Sequence, residues 1–250
     1  MEDSNVELDA LAVFSHPDDA ELSAAGTLLR LKSLGYRTGV LDLTRGEMGT
    51  RGTIEGRAEE ASAAARILKL DVRLNLGQPD GHVWLTEEAR SAMVRVIRTH
   101  KPKVIFTAHW DDPHPDHAAT SRIVREAARL ASMRRYDEEY GLSSVPVPSL
   151  AHVVFSRLVV PSFIVDISDF VEEKMHAIRA HASQFYRTDA GGDEPETRIS
   201  DKNFLQQVEW RMRYYGSLIG VAAGEAFYVR EALNVEDPVR LLTQPMNIYS

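Results

Sequence analysis

Strand-like and helix-like segments alternate through residues 8–133, and this alternation restricts the chain to an α/β fold. Residues 8–15, 36–43, 72–76 and 103–108 are short apolar runs. Residues 18–34, 54–70, 86–100 and 115–133 carry apolar side chains at helical spacing. Gly35 is a stop signal, Thr86 with Glu87 and Glu88 suits a helix start, and Lys101-Pro102 breaks the third helix. The pattern predicts a Rossmann-like, mostly parallel sheet with helices on both faces. Its crossovers are right-handed, and its ligands sit outside the carboxyl ends of the strands. The later part is less regular. Strands are expected at 151–156, 163–166 and 226–229, with helices at 168–182, capped by Ser168, and at 203–219. Residues 1–250 thus read as a single domain, with a core at 1–135 and a C-terminal extension at 136–250 that completes it. The polar segment 187–200 reads as a surface loop and, with Tyr186, as a candidate lid. Phe204, Trp210, Met212, Tyr214 and Tyr215 read as core or subunit interface.

Two copies of one local pattern punctuate this alternation. His16-Pro17-Asp18-Asp19 follows the first predicted strand, and His114-Pro115-Asp116-His117 follows the fourth. Proline suits the first helical turn, where its missing N–H would have no partner anyway. Each motif therefore sets imidazoles and carboxylates at a strand-to-helix turn. A pair of helix caps at matching strand ends does not need such residues twice, whereas a divalent cation with an acid/base pair does. A catalytic zinc takes three protein ligands and keeps one open position. His16, Asp19 and His117 are the expected ligands, Asp18 the general base and His114 a neighbouring acid. Asp116 is expected to hold an imidazole in its tautomer. Helix N-termini favour negative charge, so Asp18, Asp19 and Asp116 are expected to stay ionised. His109, Trp110, Asp111 and Asp112 read as an ordinary polar loop. Arg57, just past the glycine-rich stretch 46–52, suits a bidentate carboxylate contact, with Arg51 as its competitor and a surface ion pair to Glu59 or Glu60 as the bland reading.

Composition narrows the remaining classes. The net charge of −8 argues against nucleic-acid and anionic-membrane partners. No cysteine is present, so a metal site must use His, Asp or Glu. The acidic start lacks the features of a signal peptide, and no apolar run nears the roughly 20 residues of a membrane span. The cytoplasm is the expected compartment. A nucleotide-binding module would need Gly-x-Gly-x-x-Gly after the first strand, where Ser15-His-Pro-Asp-Asp19 stands instead. A non-catalytic metal- or nucleotide-binding Rossmann-like module is the competing class.

The sequences Ser15-His-Pro-Asp-Asp-Ala-Glu21 and Pro113-His-Pro-Asp-His117 resemble the LmbE-like/PIG-L superfamily of zinc-dependent de-N-acetylases. Asp42–Thr53, Glu55–Glu59 and Gly77-Gln-Pro-Asp80 extend the resemblance. His181-Ala-Ser-Gln-Phe185 and Gly224-Glu-Ala-Phe227 look like the subgroup that deacetylates N-acetylglucosaminyl-malate in bacillithiol biosynthesis. The resemblance implies Zn²⁺, with Fe²⁺ among the other divalent ions that a His₂Asp site admits. It implies the same ligand triad, Asp18 as base, and His114 as oxyanion stabiliser and proton donor. It also implies Arg57 as a sugar-binding residue, with Glu47 and Asp80 near the hydroxyls. The expected reaction is hydrolysis of an N-acetyl-amino-sugar conjugate, with inositol-linked, oligosaccharide and antibiotic substrates as alternatives to malate. A homo-oligomer follows from the resemblance, hexameric in bacillithiol-type members. One departure is Ala20, where many relatives carry Glu or Val; Glu21 stands beside it.

Overall fold

The computed structural model describes residues 6–186 and 196–243; most of the candidate lid, 187–195, lies outside the described residues. Strands β1 (Ala10–Phe14), β2 (Thr38–Thr44), β3 (Val72–Gln78) and β4 (Val104–Thr107) alternate with helices α1 (Asp19–Ser33), α2 (Ile54–Ile67), α3 (Glu87–His100) and α4 (Pro115–Ala131). Then come β5 (Ser149–Val153), β6 (Phe163–Asp166), α5 (Val171–Ala180), α6 (Phe204–Leu218), β7 (Gly224–Tyr228) and the short α7 (Pro238–Leu242). The described strands form one sheet in the order β3-β2-β1-β4-β5-β7-β6. Neighbours from β3 to β5 are parallel, and β7 runs antiparallel to both β5 and β6.

The central strand β1 explains the layering. All five of its residues are buried, and their side chains alternate between two cores, as the two-residue period of a strand requires. Leu11 and Val13 pack with Leu41, Ile105 and the α3 and α4 side chains Met93, Ile97 and Ile123. Ala10, Ala12 and Phe14 face the other way, onto Ala20, Ala24 and Leu28 of α1. Helix termini follow their local signals. Thr53 and Thr86 accept from the backbone N–H three residues on, and Lys101 takes a left-handed conformation where α3 stops.

Two expectations for the second half shift. The strand expected at 151–156 covers Ser149–Val153 instead, because β5 pairs through Ser149 and Leu150 with Val104 and Ile105 of β4. Ser168 does not cap α5. Its hydroxyl donates to Asp166 at 2.7 Å and accepts from the Ala223 N–H at 3.2 Å, and a 3-10 turn over Ser168–Phe170 precedes the helix. The second half is tied to α1 by a buried ion pair. Lys174 Nζ donates to Glu225 at 2.6 Å and to the Leu22 carbonyl at 2.9 Å, while Glu225 accepts from the N–H groups of Gly26 and Thr27.

Candidate metal centre and active site

The sheet order changes direction at β1. The chain goes outward through β2 and β3, then returns to place β4 on the other side of β1. Loops leaving β1 and β4 therefore diverge, and the crevice between their carboxyl ends is where such sheets take ligands. His16, Asp18 and Asp19 leave β1, and His114, Asp116 and His117 leave β4. The six residues meet there. Asp19 Oδ2 lies 3.2 Å from His16 Nδ1 and 3.2 Å from His117 Nε2. His16, Asp19 and His117 offer ligand atoms that all lie within 4.8 Å of one another. Two imidazoles and a carboxylate converging on one point fit a divalent cation of the zinc type.

The outer nitrogens of these imidazoles are also committed. His16 Nε2 faces Asp80 Oδ1 at 2.9 Å and Asp116 Oδ2 at 3.4 Å. His117 Nδ1 faces Asp112 Oδ1 at 3.1 Å. Carboxylates in this place fix the tautomer and the ring plane of a ligating histidine. Asp116, expected in that role, spends its oxygens chiefly on the N–H groups of Gly81 at 2.8 Å and Val83 at 3.3 Å. Asp112 and Asp80 make the closer imidazole contacts. Asp112 was part of the stretch read as a plain polar loop.

Charge follows this packing. Burial alone would lower His16, but hydrogen bonds to Asp116, Asp19 and Asp80 push it up to about 12. Burial is likewise overcome at His117, pushed up to about 10 by Asp19 and Asp112. The same contacts hold Asp19 well below the usual carboxylate range although burial opposes them. Without a metal, the two imidazoles thus carry the compensating positive charge. Asp18 stays ionised at neutral pH, as expected, but is shifted in the opposite direction to Asp19. It is 5% exposed, and burial pushes it up to about 6 despite the nearby Arg57. The desolvation penalty outweighs the modest favour of a helix N-terminus.

The turn carrying Asp18 is strained. Its φ of 124° is rarely adopted by a residue with a side chain. Arg57 braces it from below. Its Nη2 donates to the Pro17 carbonyl at 2.8 Å and lies 3.7 Å from Asp18 Oδ2, and its Nη1 donates to the Gly46 carbonyl at 2.8 Å. Gly46 has φ +70°, and a Cβ there would lie 1.9 Å from Nη1, so this close approach requires glycine. Arg57 is buried and not a surface ion pair. Glu60 instead receives the backbone N–H and hydroxyl of Ser183. His114 caps α4, its Nδ1 accepting from the Asp116 N–H at 3.2 Å, which leaves the proton on Nε2. Burial and the charges of His117 and His16 hold it below the usual imidazole value.

A cavity of about 610 Å³ opens over these groups. Arg57 and Asp80 are on its wall with Met48, Gly49 and Thr50. Glu47 and Arg51 are not among the lining residues. The Glu47 carboxylate turns back to the N–H groups of Asp80 and Arg45, and Arg51 Nη1 points to the Phe185 carbonyl at 3.5 Å. The second half closes the far side with Phe155, Gln184, Arg198, Ile199 and Phe204. Behind Asp18 lies a buried group the motifs did not reveal. Arg73 pairs with Glu21 and, at 3.0 Å, with Asp42, and His181 Nε2 is 3.4 Å from Glu21.

Comparison with known proteins gives the family of the chain. Residues 11–128 match the PIG-L family, described as GlcNAc-PI de-N-acetylase. Diacetylchitobiose deacetylase of Thermococcus kodakarensis is 32% identical over 188 residues, spanning 70% of this chain and 69% of that protein. A probable N-acetyl-alpha-D-glucosaminyl L-malate deacetylase 2 of Bacillus anthracis is 28% identical over 189 residues, spanning 70% of this chain and 80% of that protein. The crystal structure of a conserved protein from Thermus thermophilus superposes with a TM-score of 0.81 at 38% identity, covering 91% of this chain and 97% of that one.

Proposed function

This chain belongs to the PIG-L family, and we propose that it is a metal-dependent hydrolase that releases acetate from an N-acetylglucosamine conjugate. The observation that carries this reading is the convergence of His16, Asp19 and His117 beside Asp18, a buried carboxylate that is not one of the three ligands. A divalent ion held by the triad would supply Lewis acidity toward the acetamide carbonyl and make a water acidic enough to attack near neutral pH. Zn²⁺ suits the donor set, as does Fe²⁺. Asp18 takes the proton of the attacking water. A value near 6 leaves it ionised at neutral pH and more basic than an ordinary aspartate. The His114 Nε2–H donates to the oxygen on which negative charge develops. Asp18 then returns the proton it took from water to the leaving amine, and Arg57 holds the turn that aims Asp18. Asp116 fixes the Gly81–Val83 backbone under His16.

The finer reading is that the conjugate is N-acetylglucosaminyl-malate, as in bacillithiol biosynthesis. The Bacillus anthracis relative supports it, and so does Arg198 on the cavity wall, since a guanidinium suits a carboxylate aglycone. A disaccharide such as diacetylchitobiose is the second reading, favoured by the more similar Thermococcus relative. A homo-oligomer in the cytoplasm, hexameric as in bacillithiol-type members, completes the proposal. No described helix is long and apolar enough to cross a membrane. The test is acetate release from a panel of N-acetylglucosaminyl conjugates with malate, inositol, sugar and antibiotic aglycones, with and without a chelator. Chelator-sensitive release, fastest in kcat/KM for the malate conjugate, is expected. No release from any conjugate contradicts the class, and a neutral conjugate ranking first contradicts the malate assignment.

A further inference from the structure

Asp80 stands between two things that need not have been connected. One carboxylate oxygen, Oδ1, lies 2.9 Å from His16 Nε2. The other, Oδ2, accepts the N–H of Met48 at 2.9 Å. The Asp80 N–H in turn donates to Glu47 Oε1 at 2.9 Å, and Glu47 Oε2 accepts from the Arg45 N–H at 3.2 Å. Glu47 and Met48, adjacent in the loop after β2, are thus both latched to the turn after β3 through one residue. Met48, Gly49 and Thr50 of that loop form part of the cavity wall, and the Met48 side chain is 67% exposed. Asp112 offers the contrast. It faces His117 Nδ1 as Asp80 faces His16, but its other contacts run to the His114 N–H and to Ser156 and not to the loop.

We infer that Asp80 is a positioning residue that couples metal occupancy to the order of the cavity loop 45–50. The inference rests on the proposed His16–Asp19–His117 site. A carboxylate is planar, so turning one oxygen to follow the imidazole moves the other away from the Met48 amide. Fixing the His16 ring by a cation at Nδ1 fixes Asp80 and, through it, the loop. Coupling between two such events is reciprocal, so loosening the loop also weakens metal binding. Substrate then meets a finished wall only in the loaded protein.

The experiment uses zinc alone as the probe. Amide exchange of loop 45–50 and zinc affinity by chelator competition are measured on wild type, Asp80→Ala, Asp80→Asn, Asp112→Ala and His117→Ala. Asparagine keeps an oxygen for His16 but presents an N–H₂ group where Met48 needs an acceptor, so it tests the latch if the alanine variant folds poorly. Zinc is expected to slow exchange in the wild-type loop. Both Asp80 variants should lose that slowing even when saturated with zinc, and Asp80→Ala should bind zinc about 10–100-fold more weakly. Zinc-saturated Asp80→Asn should show a larger rise in KM than fall in kcat. Asp112→Ala should also bind more weakly yet keep a protected loop once saturated. Equal loop protection in zinc-saturated Asp80→Asn and wild type overturns the coupling. Unchanged zinc affinity in His117→Ala would instead remove the metal site on which the coupling rests.

Discussion

Residues 10–131 place the proposed ligands, base and acid at the ends of adjacent parallel strands, whereas residues 149–228 supply a wall and its fastening. In the first region the chemistry depends on two short turns, each set by a strand, a proline and a helix start. In the second, the groups that matter reach across the fold. Glu225 meets the backbone of Gly26, 199 positions away in sequence, and Lys174 meets Leu22, 152 away. Changes in the first region should therefore act on turnover and metal, and changes in the second on stability and substrate choice.

The sharpest way to break this division is Asp18→Asn. Positioned proton transfer contributes about 10²–10⁴ in rate. The variant should lose that much in kcat while holding its metal, and wild-type turnover with full metal would remove Asp18 from the base role. In the second region Lys174→Ala leaves the buried Glu225 without its cation. Breaking such a pair costs about 3–5 kcal/mol. Urea denaturation should show that loss, with kcat of the folded protein unchanged; a large kcat defect at unchanged stability would erase the distinction between the regions.

The pH dependence sharpens the first region further. In the metal-free protein the His16 and His117 values are raised above that of an unfolded histidine, to about 12 and about 10. Their stabilisation is fully present below the unfolded value near 6.5 and is lost as pH rises through about 10 and then 12. Melting of metal-free protein should therefore fall over that alkaline range. Zinc affinity should rise with pH because both imidazoles must give up a proton, and calorimetry in buffers of different ionisation enthalpy would detect their release near pH 7. The smallest effect is expected at the wall. Arg198→Ala should raise KM for the malate conjugate by about fivefold or less, given the weak interactions of exposed charges, and leave a neutral conjugate unaffected. Equal changes for both would deny Arg198 a part in reading the aglycone.

The same contrast governs what the sequence could reveal. The ligand set was legible because local order alone carries it. An apolar run ending at Phe14, with one residue between it and His-Pro-Asp, or at Thr107, with six between, puts imidazole and carboxylate near a strand end without any long-range knowledge. The parallel direction of β1 to β5 follows from the four helical crossovers that separate them. The antiparallel β7 does not, since nothing in Gly224–Tyr228 states which neighbour it takes. The imidazole contacts of Asp80 and Asp112 escaped for a related reason. Their value lies in an approach to His16 from 64 positions away and to His117 across an irregular loop, and neither has a periodic signal. Buried Glu21 and His181 show the limit again, because both stand in stretches that carry the resemblance, yet neither stretch states that the two side chains meet.

The central claim is that one divalent ion, gripped by His16, Asp19 and His117, is needed for deacetylation. Zinc titrated into fully demetallated protein, with bound metal and acetate release followed on the same sample, tests it most directly. Activity should return in step with one equivalent of zinc, and His117→Ala should recover neither metal nor activity. Demetallated protein that cleaves the acetamide at the normal rate would contradict the account.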